Sequence, residues 1–492
     1  MKKLLALCLL ATPLISFAEL PGSASQTVTK NPFFDIAQLH LSSLPLPIFT
    51  TLQKPNTEEF LIFKKLEALE NPTYTVPTFS KYEQIALSYA LLAPHIEIAQ
   101  EALSPNNNLT TLPILRAAHS EETSLLELLN RTHLPEGEVY LAHLLTHPLT
   151  DCNELKNRQN IIKTISENPV LYVSLEKVFA NLQEHQAILY SLWTNESDAH
   201  RSLMATQYFQ AFGWRWLNTS TVFQHGSNIF KIFGKSAGIL FSLAGTTIAT
   251  GNCLFRTSVS SLLEISIGTS VNFLLCSYGA DFIKADLEAL NYLHAKVYAV
   301  AELINAADAL EKQINQNPAL HGLKQSDPLH TFSKNKVSLS PKMNKLLSLI
   351  KTSTFKGEHS FFTLHGRIKI AYALLEEVKE ELSPLFAALA EVDAYLSCAT
   401  VYQEYKNSMN SFNFVEYLDT PSQTLHINKP WNPLTKVQEL ITDSITLSGQ
   451  NNTIPTTYNA EIMLTLVLAQ TIGMVPAQSM SLTPFSKIPL AS

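Results

Sequence analysis

Glycine, cysteine and charge are all in short supply. The 492 residues include 15 glycines, 5 cysteines and only 16% charged side chains. So few glycines exclude collagen-like and Gly-rich linker architectures, and no G-x-G-x-x-G dinucleotide fingerprint occurs. Cysteine is too sparse for a disulfide scaffold. Cys8 lies near the amino terminus, and the spacings of Cys152, Cys253, Cys276 and Cys398 fit no zinc pattern. Isolated buried thiols are the expectation, with one long-range disulfide as the alternative in an oxidising compartment. A basic excess is also missing. The formal net charge of −7 argues against nucleic-acid binding over the whole surface.

What the chain has in quantity is apolar surface. Hydrophobic residues make up 46%, which supports large buried cores and argues against disorder. The length suits about two to four domains. Met1–Ala18 reads as a signal peptide: Lys2 and Lys3 precede the apolar run Leu4–Ile15, and Ser16-Phe17-Ala18 offers small residues to a peptidase. A lipoprotein signal needs a small residue before its cysteine, and Leu7 precedes Cys8. Cleavage is therefore expected after Ala18, and an uncleaved short anchor is the alternative. Removing Lys2 and Lys3 would make the chain two charges more acidic.

Residues 19–120 form an N-terminal region with proline breaks and helical stretches near 57–70 and 80–103. From 121 the pattern is strongly helical. Leu134-Pro135 starts a helix, since a first-turn proline forfeits no hydrogen bond. Asp151-Cys152-Asn153-Glu154 predicts a capping box, and its helix stops at Asn168-Pro169. The stretch 229–280 is apolar, and Ser236–Phe255 has no charge. Its length could span a bilayer, yet Glu264 would be costly in lipid. A helical hairpin buried in protein and membrane contact through 236–280 both remain open. Residues 281–320 read as an amphipathic helix, and His321–Ser333 as a polar linker. Lys334, Lys336, Lys342, Lys345, Lys351 and Lys356 follow without an intervening acid; they suit an anionic surface such as phosphates or lipid headgroups, or a solvated face. Between 371 and 406, Val378, Leu382, Leu385, Leu389, Val392 and Leu396 recur at bundle-helix spacing, with Ser383-Pro384 as a kink or a new helix start.

His143 and His147 are four apart, a spacing that can chelate a metal, but no H-E-x-x-H glutamate accompanies them and no metal is expected. Trp214, Trp216 and Trp431 read as core or interface anchors.

Two blocks resemble the MutS family of mismatch-repair ATPases. Thr123–Leu182 contains Leu129-Asn130-Arg131-Thr132, Gly137, His147-Pro148-Leu149-Thr150-Asp151, Arg158-Gln159 and Asn168-Pro169, and it looks like the start of that family's core domain. Leu382–Ile488 contains Leu389–Ser397, similar to the helix returning to the ATPase domain, and Trp431-Asn432-Pro433-Leu434 where the family has a His-Pro element. Ser448-Gly449-Gln450-Asn451 stands where Thr-Gly-Pro-Asn opens the family's phosphate loop, and Leu468-Ala469-Gln470, Gly473 and Val475-Pro476-Ala477 follow without a gap. The resemblance implies a mainly α fold. It divides into a long-helix core over 121–420, with the apolar hairpin near 229–280, and a small truncated α/β remnant of the ATPase domain over 421–492.

The departures bear on activity. A phosphate loop needs G-x-x-x-x-G-K-[ST], so that backbone amides, a lysine and a hydroxyl meet phosphate and magnesium. Counting from Gly449, Ile454 replaces the second glycine, Pro455 the lysine, and Thr456 keeps the hydroxyl. Gly449, Asn451, Thr456 and Thr457 are the residues that could still contact a nucleotide. The chain as given stops before the family's magnesium-binding aspartate and catalytic glutamate would occur, and residues 19–120 lack its Phe-x-Glu wedge. ATP and magnesium are implied by the family alone; no cofactor and no ATPase activity are expected. The leading expectation is an exported, periplasmic or secreted, scaffold with an unidentified protein partner or a second copy of itself, or a membrane-associated protein. The alternative is a MutS-type protein binding mismatched DNA and ATP. Intact-mass analysis of the protein recovered outside the cytoplasm should give an amino terminus at Glu19; a full-length cytoplasmic chain would overturn the export reading.

Overall fold

The computed structural model describes residues 78–96, 124–194, 259–334, 338–356, 365–408, 410–420, 424–434, 444–448 and 459–485, with a few isolated positions between 208 and 226. The expected signal peptide, the helix near 57–70, the apolar arm before 259, Trp214, Trp216, Lys336 and the loop residues Gly449, Asn451, Thr456 and Thr457 lie outside the described residues.

Short polar caps and prolines set many helix starts. Helix α1, Lys81–Leu92, begins with a capping box: Ser80 Oγ accepts from the Glu83 amide, and the Glu83 carboxylate accepts from Ser80 N–H. It ends well before 103, at Ala93. Helix α2, Leu125–Leu129, repeats the device with Ser124 and Glu127. Helix α3, Pro135–Thr146, starts at the expected proline. Helix α4, Cys152–Glu167, is capped by Asp151, whose carboxylate accepts from Asn153 N–H at 2.7 Å. The expected reciprocal bond from Glu154 is replaced, because Glu154 instead receives Lys324 Nζ at 2.9 Å. Helix α5, Pro169–Tyr190, starts behind the Asn168 cap.

The return half of the bundle departs further from expectation. Helix α6 runs unbroken from Val259 to Gln316, about 87 Å at 1.5 Å per residue. What reads as the second arm of an apolar hairpin therefore continues, from 259, into this one helix. The expected polar linker is also folded: a 3-10 turn, Pro318–Gly322, leads into helix α7, Ser326–Ser333, whose Leu329 and Phe332 are buried. Helix α8, Pro341–Ile350, and a 3-10 turn, Ser353–Phe355, precede helix α9, His365–Val378. A further 3-10 turn, Lys379–Leu382, joins α9 to helix α10, Ser383–Tyr405. Ser383-Pro384 thus starts a new helix, although Ser383 does not cap it. Its hydroxyl donates to Leu91 O at 2.7 Å and meets His95 Nε2 at 2.9 Å, which ties α10 to α1.

Helix α10 is the axis of the bundle, with α1, α3, α4, α5 and α7 around it; α6 packs on α5, α7 and α9, and α8 lies on α9. The three-and-four spacing predicts one apolar face, but α10 is buried on every side from Leu385 through Ala399. Alanines 387, 388, 390, 394 and 399 let neighbouring helices approach closely. The run His365–Tyr405 is apolar and long enough to cross a membrane, yet 89% of its most apolar window is inside the protein. It is a core element.

A helix buried all round must place its polar groups against partners. Asp393, wholly buried, accepts from Leu134 N–H at 2.9 Å and from His133 N–H at 3.1 Å. It supplies the cap that Leu134 cannot give α3. Glu391 does the same for α7, accepting from Lys324 N–H at 3.0 Å and Gln325 N–H at 2.7 Å. Ser397 Oγ accepts from Arg131 N–H and donates to Leu129 O, both at 2.6 Å. At the far end of α5, Lys296 and Lys379 donate to the carbonyls of Ser191 and Leu192, where positive charge offsets the helix dipole.

The carboxyl-terminal unit is a small α/β layer. Strands β1 (Asn413–Phe414), β2 (Glu416–Tyr417), β3 (Thr424–Pro430) and β4 (Ser444–Ser448) precede helix α11 (Asn459–Thr471), which is followed by β5 (Met474–Val475) and β6 (Ala477–Leu482). The main sheet has the order β2-β6-β3-β4, and β1 pairs separately with β5. Strand β3 is antiparallel to both neighbours, with Ile427 opposite Ile445 and Met480. Strands β4 and β6 therefore run the same way across it, joined through α11. The unit begins at Asn413, slightly before the boundary read at 421, because β1 and β2 need β5 and β6 as partners.

Gly137 is required where α3 crosses α10, since a Cβ there would lie 2.3 Å from Asp393 Oδ2. Gly137→Ala should displace the capping carboxylate and destabilise the protein by about 2–3 kcal/mol in urea denaturation. An unchanged midpoint would show that Asp393 does not set this contact.

Candidate functional site and its seat on the core

Residues 449–458, which resemble a phosphate loop in sequence, fall between β4 and α11, so a strand precedes them and a helix follows, as such a loop requires. The described residues show how this unit is seated. The last carbonyls of a helix lack partners within it, and here each is met from outside. Leu468 O accepts from Gly473 N–H at 3.0 Å, and Ala469 O from the Tyr417 hydroxyl at 2.5 Å. Gln470 O accepts from Leu149 N–H, and Thr471 O from Arg158 Nη1, both at 2.7 Å. The Gln470 side chain closes the clasp by donating to Leu149 O at 2.9 Å and Phe485 O at 3.0 Å. Gln159 Nε2 reaches Gly473 O and Val415 O. Gly473 itself has φ +76°, and a Cβ there would press on Tyr417 and Gln159 at 3.0–3.1 Å.

Electrostatics suit a permanent joint. Burial pushes the Tyr417 hydroxyl well above its ordinary range, so it remains a donor. Arg158 is buried beneath the end of α11, where a cation is favoured. Trp431, the tryptophan of the Trp-Asn-Pro-Leu element, is buried against Phe412 and Tyr405 and donates to Ser411 O at 3.2 Å. It is an anchor, as its residue type suggests.

The lysine run is spread along α7, α8 and the turn after it. Lys334, Lys342, Lys345, Lys351 and Lys356 are all exposed, while Met343, Leu346, Leu347 and Ile350 form the buried face of α8. Acids distant in sequence reach two of them: Lys334 pairs with Glu311 at 2.9 Å and Lys342 with Glu377 at 2.8 Å. Burial alone would raise the Glu311 carboxyl, but Lys334, Asn315 and His330 outweigh it and hold it at about 2. Among the described residues, Lys345, Lys351 and Lys356 meet no carboxylate.

His143 and His147 do come together, with ring centroids 4.2 Å apart. His147 ends α3, and its Nδ1 is engaged by the His143 carbonyl at 2.8 Å. Burial, then the neighbouring His147, drives His143 down to about 3. Among the described residues no group of three or more His, Cys, Asp or Glu is placed to hold a metal. Sequence reasoning missed the capping roles of Glu391 and Asp393 and the buried acid Glu136. A glutamate in a first helical turn is ordinary in sequence, and only the packing shows it buried.

Long helices around one buried helix, closed at one end by a strand–loop–helix unit, define a mainly α architecture with a small α/β appendage. The family model for MutS domain III matches residues 107–399, more than half of the chain, and the chain belongs to the MutS family. The match takes in residues 183–381, where no family motif is visible. No curated protein matches the chain.

Replacing Gln470 with Leu removes the amide that bridges Leu149 and Phe485 but preserves volume. It should loosen the joint by about 1–3 kcal/mol, read as faster amide exchange in 474–482 with 385–401 unchanged. Equal exchange in both segments would contradict a local clasp.

Proposed function

We propose that the chain is an exported, non-catalytic member of the MutS family, which acts as a scaffold for a protein partner and has lost nucleotide chemistry. The observation that carries this reading is Ile454-Pro455 within a loop whose flanking strand and helix are retained and firmly seated. The donor set does not fit magnesium nucleotide. Proline offers neither an amide nor a charge to phosphate, and isoleucine resists the backbone geometry that the glycine supplies. The leader-like Met1–Ala18 supports an extracytoplasmic site of action, and the apolar stretch 236–280 supports membrane association as a variant of the same reading. Titration with a non-hydrolysable ATP analogue and magnesium should show no saturable binding in the micromolar range; such binding would overturn the claim.

Family membership and the exposed Lys345, Lys351 and Lys356 favour a second reading, a DNA-binding protein of the mismatch-repair type. Salt-dependent binding to mismatched duplex that is lost on replacing Lys342, Lys345 and Lys351 would establish it in place of the first.

A further inference from the structure

Glu136 occupies the first turn of α3 and is 1% exposed, and neither carboxyl oxygen has a hydrogen-bond partner. It faces the Tyr190 hydroxyl and the Gln186 amide of α5 without completing a bond to either. The hydroxyl beside it is already committed. Gln186 Nε2 donates to Tyr190 Oη at 2.8 Å, and Tyr190 Oη lies 2.7 Å from Ser88 Oγ on α1. Ser88 Oγ donates to Gln84 O at 2.8 Å. A serine hydroxyl has one hydrogen, so Tyr190 must donate to Ser88 while accepting from Gln186. No hydroxyl hydrogen remains for Glu136. The donors left to meet Glu136 are the second amide hydrogen of Gln186 and a proton of its own, which could be donated to the free lone pair of Tyr190.

We propose that Glu136 is a proton-dependent latch that fastens α1 to the helical core through Tyr190 and Ser88. When Glu136 loses its proton, the carboxylate takes the Tyr190 hydrogen. Ser88 must then give up one of its two bonds, either the one accepted from Tyr190 or, by turning its hydrogen to Tyr190, the one to Gln84 O, so one proton leaves to solvent and α1 holds one hydrogen bond fewer. The surroundings oppose the charged form. Asp393 of α10 faces the same space as a second acid, with His133 beside it, and Tyr190 is the titratable group from α5. From α1 the cation is Lys81, 73% exposed and paired with Glu138 at 3.4 Å rather than with Glu136. Burial foremost raises Glu136 to about 7. Since the unfolded carboxyl titrates lower, the contribution is fully present in acid and is lost as pH rises through about 7. The Phe79–Tyr190 edge contact and the Ser383–Leu91 bond hold α1 at its two ends in both states. The latch therefore governs opening of the helix rather than its presence.

Amide exchange of 81–92 in the full chain, corrected for intrinsic rates and followed from pH 5 to 9, tests this. The wild type should lose protection roughly tenfold across neutrality, as expected for one hydrogen bond, while 385–401 stays constant. Glu136→Gln should stay protected throughout, and Tyr190→Phe should be open throughout, both without a step. A flat wild-type profile, or a step that survives in Glu136→Gln, would overturn the proposal. If Glu136→Gln does not fold, Tyr190→Phe and Ser88→Ala still decide it, because a retained step in either excludes the chain of hydroxyls.

Discussion

The bundle depends on a carboxylate inside it. Asp393 takes the amides of His133 and Leu134, and the entry of α3, the close crossing at Gly137 and the position of the α3–α4 turn all follow. A buried carboxylate is unfavourable unless its oxygens are satisfied, so the helix that carries it has one acceptable register against its neighbours. Burial raises Asp393, while His133 and the two amides work against that rise. Glu391 and Ser397, on the same helix, fix two other chain entries in the same manner. Apolar packing alone, with a helix buried on every side, would leave rotation and sliding weakly determined; three polar contacts remove that freedom.

The carboxyl-terminal unit inherits its position from this arrangement. The turn that follows α3 presents Leu149, and α4 presents Arg158 and Gln159, to the end of α11. Motifs that resemble the MutS family in the two separate sequence blocks meet in space here and at Gly137 with Asp393. The residues that make these contacts flank a segment in which Ile454 and Pro455 stand where a phosphate loop has its second Gly and its Lys.

Much of this was legible in sequence wherever the cause is local. Pro135, Asp151 and Asn168-Pro169 act within a few residues, and the structure places helix boundaries where they predict. The mainly α class and the family followed from motif order. What sequence could not give are effects that require tertiary partners. Residues 321–333 look polar and unstructured, yet Glu391 caps a helix there from a distant segment. Residues 259–280 read as part of an apolar hairpin and 281–320 as a separate amphipathic helix, because a drop in charge resembles a boundary, and the backbone continues unbroken between them. Spacing on α10 predicts one buried face, since small alanines do not register as apolar contacts until neighbours close on them. Of the lysine run, two members are paired with acids that no local window contains.

The clasp on α11 also has a consequence for how the molecule is made. Leu149 and Gln470 are 321 positions apart, and Leu134 and Asp393 are 259 apart. Contacts between such distant positions form slowly, because chain closure must precede the energy that rewards it. During synthesis the Leu149 end of this clasp therefore waits for the 321 positions up to Gln470 to emerge. Until then Leu149 lacks the backbone and amide partners that α11 supplies.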